Sequence, residues 1–290
     1  MRAIIGIDTK EAYKPTVELF AKLKFTDSHL TLMHAAPVVC PITAADARAE
    51  AEYTKVVQNL GLAALDAAAE FATAHGIEPR TKLVFGRAAD SLILEAQAED
   101  SELIGLRATH RGSSKSSYLG SATCALAINS PTSLLVAKGP FKSNHEFTAV
   151  LATDHSNTSD KWIERFLNFG PKGISRLHIL SAYEVNDEVA AAAHKNLAML
   201  GGDVARWLNE TIAERTEAVA DKLAKAGLEV TFSVVETPAT DAIRNAMRDT
   251  HADLLIIGAH GNTQPPGAKI GSVALHQVVA EHYPILMIQP

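Results

Sequence analysis

The stretch LLIIGAHGNTQPPGAKIGSVALHQVV, residues 254–279, decides the fold of this chain. An aliphatic run comes first, then a loop punctuated by glycine, and last a pattern typical of a helix. Glycines let a backbone approach an anion closely, while Ser272 and the first amides of the helix donate hydrogen bonds to it. The stretch therefore predicts a phosphate-binding loop between a strand and a helix, and a nucleotide as its ligand.

The first half of the chain repeats this stretch in altered form. Gly120–Ser121 aligns with Gly271–Ser272, 151 residues later, and no gap is needed from Gly86 to the end of that half. Nearer the start, Ile4–Asp8 aligns with Val150–Asp154, 146 residues later. A period this long indicates two copies of a domain rather than a solenoid. We predict domains at residues 1–140 and 146–290, with the boundary in the Gly- and Pro-containing segment 139–145.

Each half alternates short aliphatic runs with longer helical patterns, which is typical of βαβ units. This predicts the α/β class, with an open five-stranded parallel sheet and helices on both faces in each half, and with ligands at the carboxyl ends of the strands. Long helices are expected within 44–75 and 188–226. The predicted strands are 3–7, 29–35, 80–85, 103–106 and 133–137, then 147–153, 176–182, 229–235, 254–257 and 285–288.

Composition narrows the function further. A net charge of −6 and the lack of a dense Lys/Arg run argue against nucleic acid as a partner. No apolar stretch approaches the roughly 20 residues that span a bilayer, and no cleavable leader precedes the first strand, so we expect a cytoplasmic protein with no membrane partner. Cys40 and Cys124 lack metal or redox spacing, and the twelve histidines are scattered.

The spacing Gly258-2x-Gly261-9x-Gly271-Ser272, on an α/β half with Asp154 just after its first strand, resembles the ATP-binding motif of the universal stress protein family. The similarity covers nearly the whole chain as two tandem domains and implies an adenine nucleotide alpha hydrolase-like, Rossmann-like fold. It also implies ATP or a related adenine nucleotide as ligand, with magnesium or manganese on the phosphates. The residues that match nucleotide-contacting positions of the family are Ala152, Thr153, Asp154, Ala182, Ile257, Gly258, His260, Gly261, Gly271, Ser272 and Val273.

The chemistry of these residue types agrees with the roles that the resemblance implies. The Asp154 carboxylate accepts hydrogen bonds from ribose hydroxyls, and Ser272 donates to phosphate oxygens, with Lys269 as a further counter-charge. The backbone of Ala182 is expected to meet the adenine edge. Pro265 and Pro266 stiffen the loop and remove two amide donors, so the middle of the loop frames the site.

Structural alternatives stay open for the same residues. Gly258 and Gly261 could form only a tight exit from the strand. Asp154 and Ser272 could be no more than helix caps. His260 is either a ligand contact or a solvated loop residue.

The first half departs from the motif. Arg107 aligns with Gly258 and His110 with Gly261, while Gly120 and Ser121 are kept, and Gly105 falls inside the strand opposite Ile256. Two large side chains therefore stand where the family brings backbone against the ligand. We expect this half to be structural or partner-binding and unable to hold ATP in the usual pose. The alternative is that Arg107 or His110 binds a smaller anion.

Three functions remain open. The first is a nucleotide-binding stress-response regulator with an unidentified protein partner; the others are a slow ATPase or phosphate-transfer enzyme, and a nucleotide-free scaffold. No Walker or kinase signature is present, and no catalytic residue or metal ligand is assigned. Single-domain members of the family commonly pair through their last strands, and a tandem chain can make the equivalent contact internally. Residues 133–137 are therefore expected beside 285–288 in an intramolecular pseudo-dimer, and a homodimer of whole chains is also open.

Overall fold

A computed structural model describes residues 1–38, 47–108, 110–111, 118–139, 146–184, 204–261 and 269–290. The elements of the first half are β1 (Arg2–Gly6), α1 (Lys14–Leu23), β2 (His29–Ala36), α2 (Ala47–Ala74), β3 (Arg80–Phe85), α3 (Ala88–Ala98), β4 (Leu103–Arg107), β5 (His110–Arg111), β6 (Tyr118–Leu119), α4 (Ser121–Asn129) and β7 (Ser133–Ala137). Those of the second half are β8 (Phe147–Thr153), α5 (Asn157–Phe169), β9 (Ile174–Tyr183), α6 (Val204–Lys225), β10 (Glu229–Glu236), α7 (Ala239–Asp249), β11 (Leu254–Gly258), α8 (Ser272–Ala280) and β12 (Ile285–Ile288).

The α/β fold class predicted from the sequence is confirmed. Five strands of each half join in one ten-stranded sheet of order β10-β9-β8-β11-β12-β7-β4-β1-β2-β3. Neighbouring strands are parallel except at the centre, where β7 and β12 pair antiparallel, with Leu135 opposite Leu286. The last strand of each half thus makes the contact between the halves.

Strand register shows that the ungapped alignment of the two halves is also a structural one. Ile104 pairs with Leu134 in the first half as Leu255 pairs with Ile285 in the second. At the ends of the same strands, Arg107 pairs with Ala137 as Gly258 pairs with Ile288. Arg107 therefore occupies the position of Gly258, and Gly105 lies inside β4 as expected.

Helices cover both faces of the sheet. Buried side chains of α1, α2, α5 and α6 share one apolar cluster, and those of α3, α4, α7 and α8 share the other. Helix α5 shows how the sequence produces this, because Trp162, Ile163, Phe166 and Phe169 recur at helical spacing and are all buried. Ser156 caps its start, and Gly170 ends it in the left-handed conformation, with φ 54°.

Two buried side chains cross between the halves in a reciprocal arrangement. Lys138, just after β7, donates from Nζ to the carbonyl oxygens of Gln277 and Glu281 at 2.8 and 2.7 Å, where α8 ends. Its counterpart Gln289, just after β12, donates from Nε2 to the carbonyl oxygen of Ser130 at 2.8 Å, where α4 ends. Burial lowers the pKa of Lys138 to about 8, and the Glu281 carboxylate opposes this shift. Each half thus satisfies carbonyls at the end of a helix in the other.

The remaining differences from the sequence predictions are local. β5 and β6 form a two-stranded antiparallel sheet that was not predicted, and β9 begins at Ile174 rather than at residue 176. The predicted boundary at 140–145, Cys40, and the helical stretches 44–46 and 188–203 lie outside the described residues. Cys124 is a half-buried free thiol. Within the described parts of the chain, no helix has the length and apolar character needed to span a membrane.

Candidate functional site

The carboxyl ends of three adjacent strands bring the predicted residues of the second half together. β8 lies between β9 and β11 in the sheet, and all three run parallel. Asp154 directly follows β8, Ala182 lies at the end of β9, and Gly258 ends β11. These residues therefore share one edge of the sheet, the edge at which open α/β sheets bind ligands.

The Asp154 carboxylate is held in place by the turn that follows it. Oδ1 accepts hydrogen bonds from the Ser156 amide at 3.1 Å and the Ser159 hydroxyl at 2.6 Å. The other oxygen, Oδ2, faces the glycine loop, because a Cβ added to Gly261 would lie 2.8 Å from it. Any side chain at residue 261 would therefore displace this carboxylate.

The helix-cap alternatives do not account for Asp154 or Ser272. The N-cap of α5 is Ser156, whose hydroxyl accepts from the Ser159 amide at 3.3 Å. The N-cap of α8 is Gly271, so Ser272 is the first helical residue, and its side chain is exposed. Asp154 is exposed as well, although it is hydrogen-bonded. Both residues present polar groups at the surface of this edge.

Gly258 is required by packing. A Cβ at this position would lie 2.6 Å from Cδ1 of Trp162, a side chain only 2% exposed. Neither Gly258 nor Gly261 has a left-handed backbone, so space rather than turn conformation explains both glycines. The tight-exit alternative is thus replaced at Gly258 by contact with an indole ring of α5.

The two ends of the glycine loop are fastened to each other. The Gly271 amide donates to the Ala259 carbonyl at 2.8 Å, and the Ala259 amide donates to the Ile288 carbonyl at 2.8 Å. Helix α8 begins directly after this clasp, and its Gly271 N-cap offers no side-chain oxygen to its first amides. Pro265 and Pro266 belong to residues 262–268, which lie outside the described chain.

The other predicted residues differ in what they expose. Ala152, Ala182 and Val273 are half-buried, whereas the side chains of Thr153 and Ile257 are 7% and 6% exposed. Ile257 packs in the apolar cluster under α7 and α8, so only its backbone faces the edge. Nδ1 of His260 is buried and has no hydrogen-bond partner among the described residues. Lys269, considered as a counter-charge, is exposed and donates to Oδ1 of Asn129 in the first half at 3.1 Å.

A polar network beneath this edge was not found from the sequence. Nε2 of His155 lies 2.7 Å from the Ser181 hydroxyl and 3.0 Å from that of Thr216 on α6. Burial lowers the pKa of His155, as does Arg215, while Asp154 and Asp160 oppose the shift. The available signal was the position of His155, directly after the aspartate of the motif.

The corresponding edge of the first half is built differently. Arg107 takes the place of Gly258, and Thr16, 146 residues before Trp162, takes the place of the indole. The Thr16 methyl lies 3.1 Å from a Cβ added at Gly105, so Thr16 packs two residues before Arg107 on β4, whereas Trp162 packs against Gly258 itself. Asp8 accepts from the Ala12 amide at 2.8 Å. The side chain of His110 lies outside the described residues.

Comparison with known proteins identifies the family of this chain. The model of the universal stress protein family matches the chain twice, over residues 1–138 and 148–288. The chain belongs to the universal stress protein family. Tandem organisation within that family, predicted from the repeat, is confirmed by the two matches.

Solved structures support the fold over the whole chain. A universal stress protein from Archaeoglobus fulgidus DSM 4304 is 18% identical, with a TM-score of 0.69, and the match covers 99% of this chain and 98% of that one. A protein of unknown function from Pseudomonas aeruginosa PAO1 is also 18% identical, with a TM-score of 0.63 over 100% of this chain and 92% of that one. At these identities the likeness shows the fold alone. No curated protein sequence matches the chain.

Proposed function

We propose that this universal stress protein binds ATP, or a related adenine nucleotide, at the carboxyl edge of the second half, and acts as a stress-response regulator. The observation that carries the proposal is the approach of Gly261 to Asp154. The glycine leaves Oδ2 of the carboxylate facing the loop, where a single methyl group would collide with it. A carboxylate in such a place suits the two hydroxyls of a ribose.

The phosphate end of the proposed site is the start of α8. The clasp between Gly271 and Ala259 fixes where the helix begins, and the exposed Ser272 adds a hydroxyl to its first free amides. Together with the positive end of the helix dipole, these donors suit a phosphate chain. Nδ1 of His260, at the near end of the loop, is buried and has no partner among the described residues, which leaves an unsatisfied polar atom beside the proposed site.

Any metal ion in the proposed complex would be bound together with the nucleotide. Among the described residues, no group of three or more His, Cys, Asp or Glu side chains is placed to hold a metal. Magnesium or manganese would therefore be bound largely by phosphate oxygens and water, as these hard cations often are.

The site supports binding better than catalysis. One oxygen of the Asp154 carboxylate already accepts two hydrogen bonds from the turn that follows it, and the sequence carries no Walker or kinase signature. We therefore propose a regulator in which nucleotide occupancy selects between conformations or partners. The first half, with Arg107 in the position of Gly258, is proposed as a structural or partner-binding unit.

The test is a titration of the full chain with ATP and magnesium, preceded by acid extraction of protein purified without nucleotide and chromatography of the extract. We expect bound adenine nucleotide in the extract and saturable binding, both abolished in Gly261→Arg. Asp154→Asn should weaken binding roughly tenfold, because it removes hydrogen bonds to a charged group. Asp8→Asn, the matched change in the first half, should leave binding unchanged.

Each other outcome has a defined meaning. An empty extract together with no titratable binding would refute the proposal and leave the scaffold function. Phosphate release from ATP that disappears in Gly261→Arg would assign a slow ATPase in place of a regulator. Equal loss of binding in Asp154→Asn and Asp8→Asn would refute the assignment of the site to the second half.

A further inference from the structure

We propose that His155 is a positioning residue of the nucleotide site, which holds the ribose carboxylate and the adenine edge of the second half at a fixed separation. This inference rests on the proposed function and deepens it. His155 does not face the proposed ligand itself. It acts through the residue before it and through the strand beside it.

The backbone at His155 is the first observation. Its φ is 54°, in the left-handed region that a residue with a Cβ adopts only at an energetic cost. That conformation lets Asp154 face the glycine loop while the imidazole of the next residue turns back toward β9 and α6. The strained backbone is stabilised by contacts of the side chain, which is where the network begins.

The direction of each hydrogen bond in the network follows from the carbonyl that ends it. The Thr216 hydroxyl donates to the Ile212 carbonyl at 2.7 Å, since a carbonyl only accepts. Thr216 Oγ1 therefore accepts in its other two contacts, from Ser181 Oγ at 2.9 Å and from His155 Nε2 at 3.0 Å. Nε2 must carry the hydrogen, and it is shared with Ser181 Oγ at 2.7 Å.

Burial makes this network stiff. Ser181 and Thr216 are 1% and 0% exposed, so loss of the imidazole would remove their shared donor in a place that bulk water does not reach. Burial also lowers the pKa of His155, which favours the neutral ring, and in the neutral ring the bond directions place its one hydrogen on Nε2.

The positions of the three residues connect the two ends of the site. His155 directly follows Asp154, the proposed ribose contact, and Ser181 directly precedes Ala182, the proposed adenine contact. Thr216 anchors both to α6. A nucleotide spans these two points with a rigid glycosidic linkage, so their separation affects affinity.

The first half attaches its imidazole elsewhere, which makes it a natural control. Register places His34 at the position of Ser181, because Leu30 pairs with Ala3 as Leu177 pairs with Ala149. Nδ1 of His34 donates to the Ile7 carbonyl at 2.8 Å, so this ring binds the backbone of the strand exit. Thr9 stands at the position of His155. Only in the half with the glycine motif does the imidazole belong to the turn that carries the aspartate.

The experiment is a calorimetric titration of the full chain with ATP and with 2′,3′-dideoxy-ATP. The analogue lacks the ribose hydroxyls from which Asp154 would accept hydrogen bonds. We expect His155→Leu to weaken ATP roughly tenfold and to leave the affinity for the dideoxy analogue within about twofold, as loss of about one charge-assisted hydrogen bond predicts. His155→Gln, whose amide still donates, should stay within about threefold of wild type for ATP. His34→Gln should match wild type for both ligands.

A second variant tests the network if His155→Leu fails to fold. Thr216→Val keeps the shape of the side chain and removes the hydroxyl that bonds His155 and Ser181. We expect it to bind ATP roughly threefold more weakly. If His155→Leu loses affinity for both nucleotides equally, the positioning role is overturned, because such a loss indicates general damage to the fold. If His155→Leu is unfolded, the same result in Thr216→Val has the same meaning. Wild-type affinity in His155→Leu, with Asp154→Asn still weakened, would overturn this inference alone. No binding by the wild type would overturn the proposed function with it.

Discussion

At the end of β4 the first half places Arg107 where the second half, at the end of β11, places Gly258. Trp162 of α5 packs against Gly258, and the residue aligned with Trp162 in α1 is Thr16, which packs against Gly105. The second half thus combines a small residue on the strand with a large one on the helix, and the first half combines a large residue on the strand with a small one on the helix. Where the indole comes from the helix, the strand end is left as bare backbone at the edge of the sheet; where it does not, a guanidinium stands there instead. The same fold thus yields two edges of different chemistry by moving bulk from one layer to the next.

The largest expected effect comes from placing the arginine of the first half at the corresponding position of the second half. Gly258→Arg should lower the free energy of unfolding by about 3 kcal/mol or more, because any side chain there meets the buried ring of Trp162. Arg107→Gly, the reverse exchange, should cost about 1 kcal/mol through backbone entropy. Urea unfolding of the full chain measures both.

A double variant sharpens that comparison. Trp162→Thr combined with Gly258→Arg rebuilds the first-half pair, so its destabilisation should be smaller than the sum of the two single changes. If the changes in the free energy of unfolding are strictly additive, removal of the indole does not make room for the arginine side chain, and the packing explanation is contradicted.

The next effect concerns the reciprocal contacts across the centre of the sheet. Lys138→Met leaves the carbonyls of Gln277 and Glu281 without their buried donor, and should lower the free energy of unfolding by about 2 kcal/mol. Gln289→Met frees the Ser130 carbonyl and should cost about 1 kcal/mol. Thermal melts report the order, with exposed Lys269→Met as a control expected within about 0.5 kcal/mol of wild type. The reverse order would contradict the greater role given to Lys138.

Alkaline pH should distinguish the same two contacts. Burial lowers the pKa of Lys138 from 10.5 to about 8, so between these values the unfolded chain binds more protons than the folded one. This group alone therefore makes stability rise with pH across that window. Lys138→Gln, which copies Gln289, should flatten that part of the profile, and an unchanged slope in this variant would count against the shift.

Mild acid should produce the smallest effect. The pKa of His155 is lowered from 6.5, by burial and by Arg215, with Asp154 and Asp160 opposing. Below pH 6.5 the unfolded chain takes up a proton before the folded one does, so stability falls as the pH falls. Burial lowers the pKa of His178 as well, and the two histidines should act additively. Unfolding curves of His155→Gln and of His155→Gln with His178→Gln should show successively shallower acid limbs.

Sequence patterns were sufficient for the fold class and for the ten strands of the main sheet, because these follow from local periodicity and from the repeat. The spatial order of the strands was not predicted. The offset of 151 residues aligns Arg107 with Gly258 in sequence, and the strand register agrees with this alignment. The pairing of residues 133–137 with 285–288 lay beyond local periodicity and rested on family resemblance. The short β5–β6 sheet left no such signal, since each of its strands is only two residues long.

The reasons for individual residues were harder to infer. Gly258 was assigned to ligand approach or to a turn, and its neighbour Trp162 lies 96 residues away in sequence. No local pattern distinguishes Lys138 from a surface lysine, because its burial depends on a helix of the other half. Comparing the halves for exchanges of size, Thr16 with Trp162 against Arg107 with Gly258, would have exposed the first contact. Nothing in the composition of the chain would have exposed the second.

The antiparallel joint between β7 and β12 has a further consequence. Where two identical chains meet through such a joint, dilution separates them, and every substitution appears twice, once on each side of the axis. Here the joint lies within one polypeptide, so it does not dissociate by mass action. A substitution such as Arg107 can therefore occur in one half without occurring in the other. The sheet keeps its approximate twofold symmetry, while the side chains on its two sides differ.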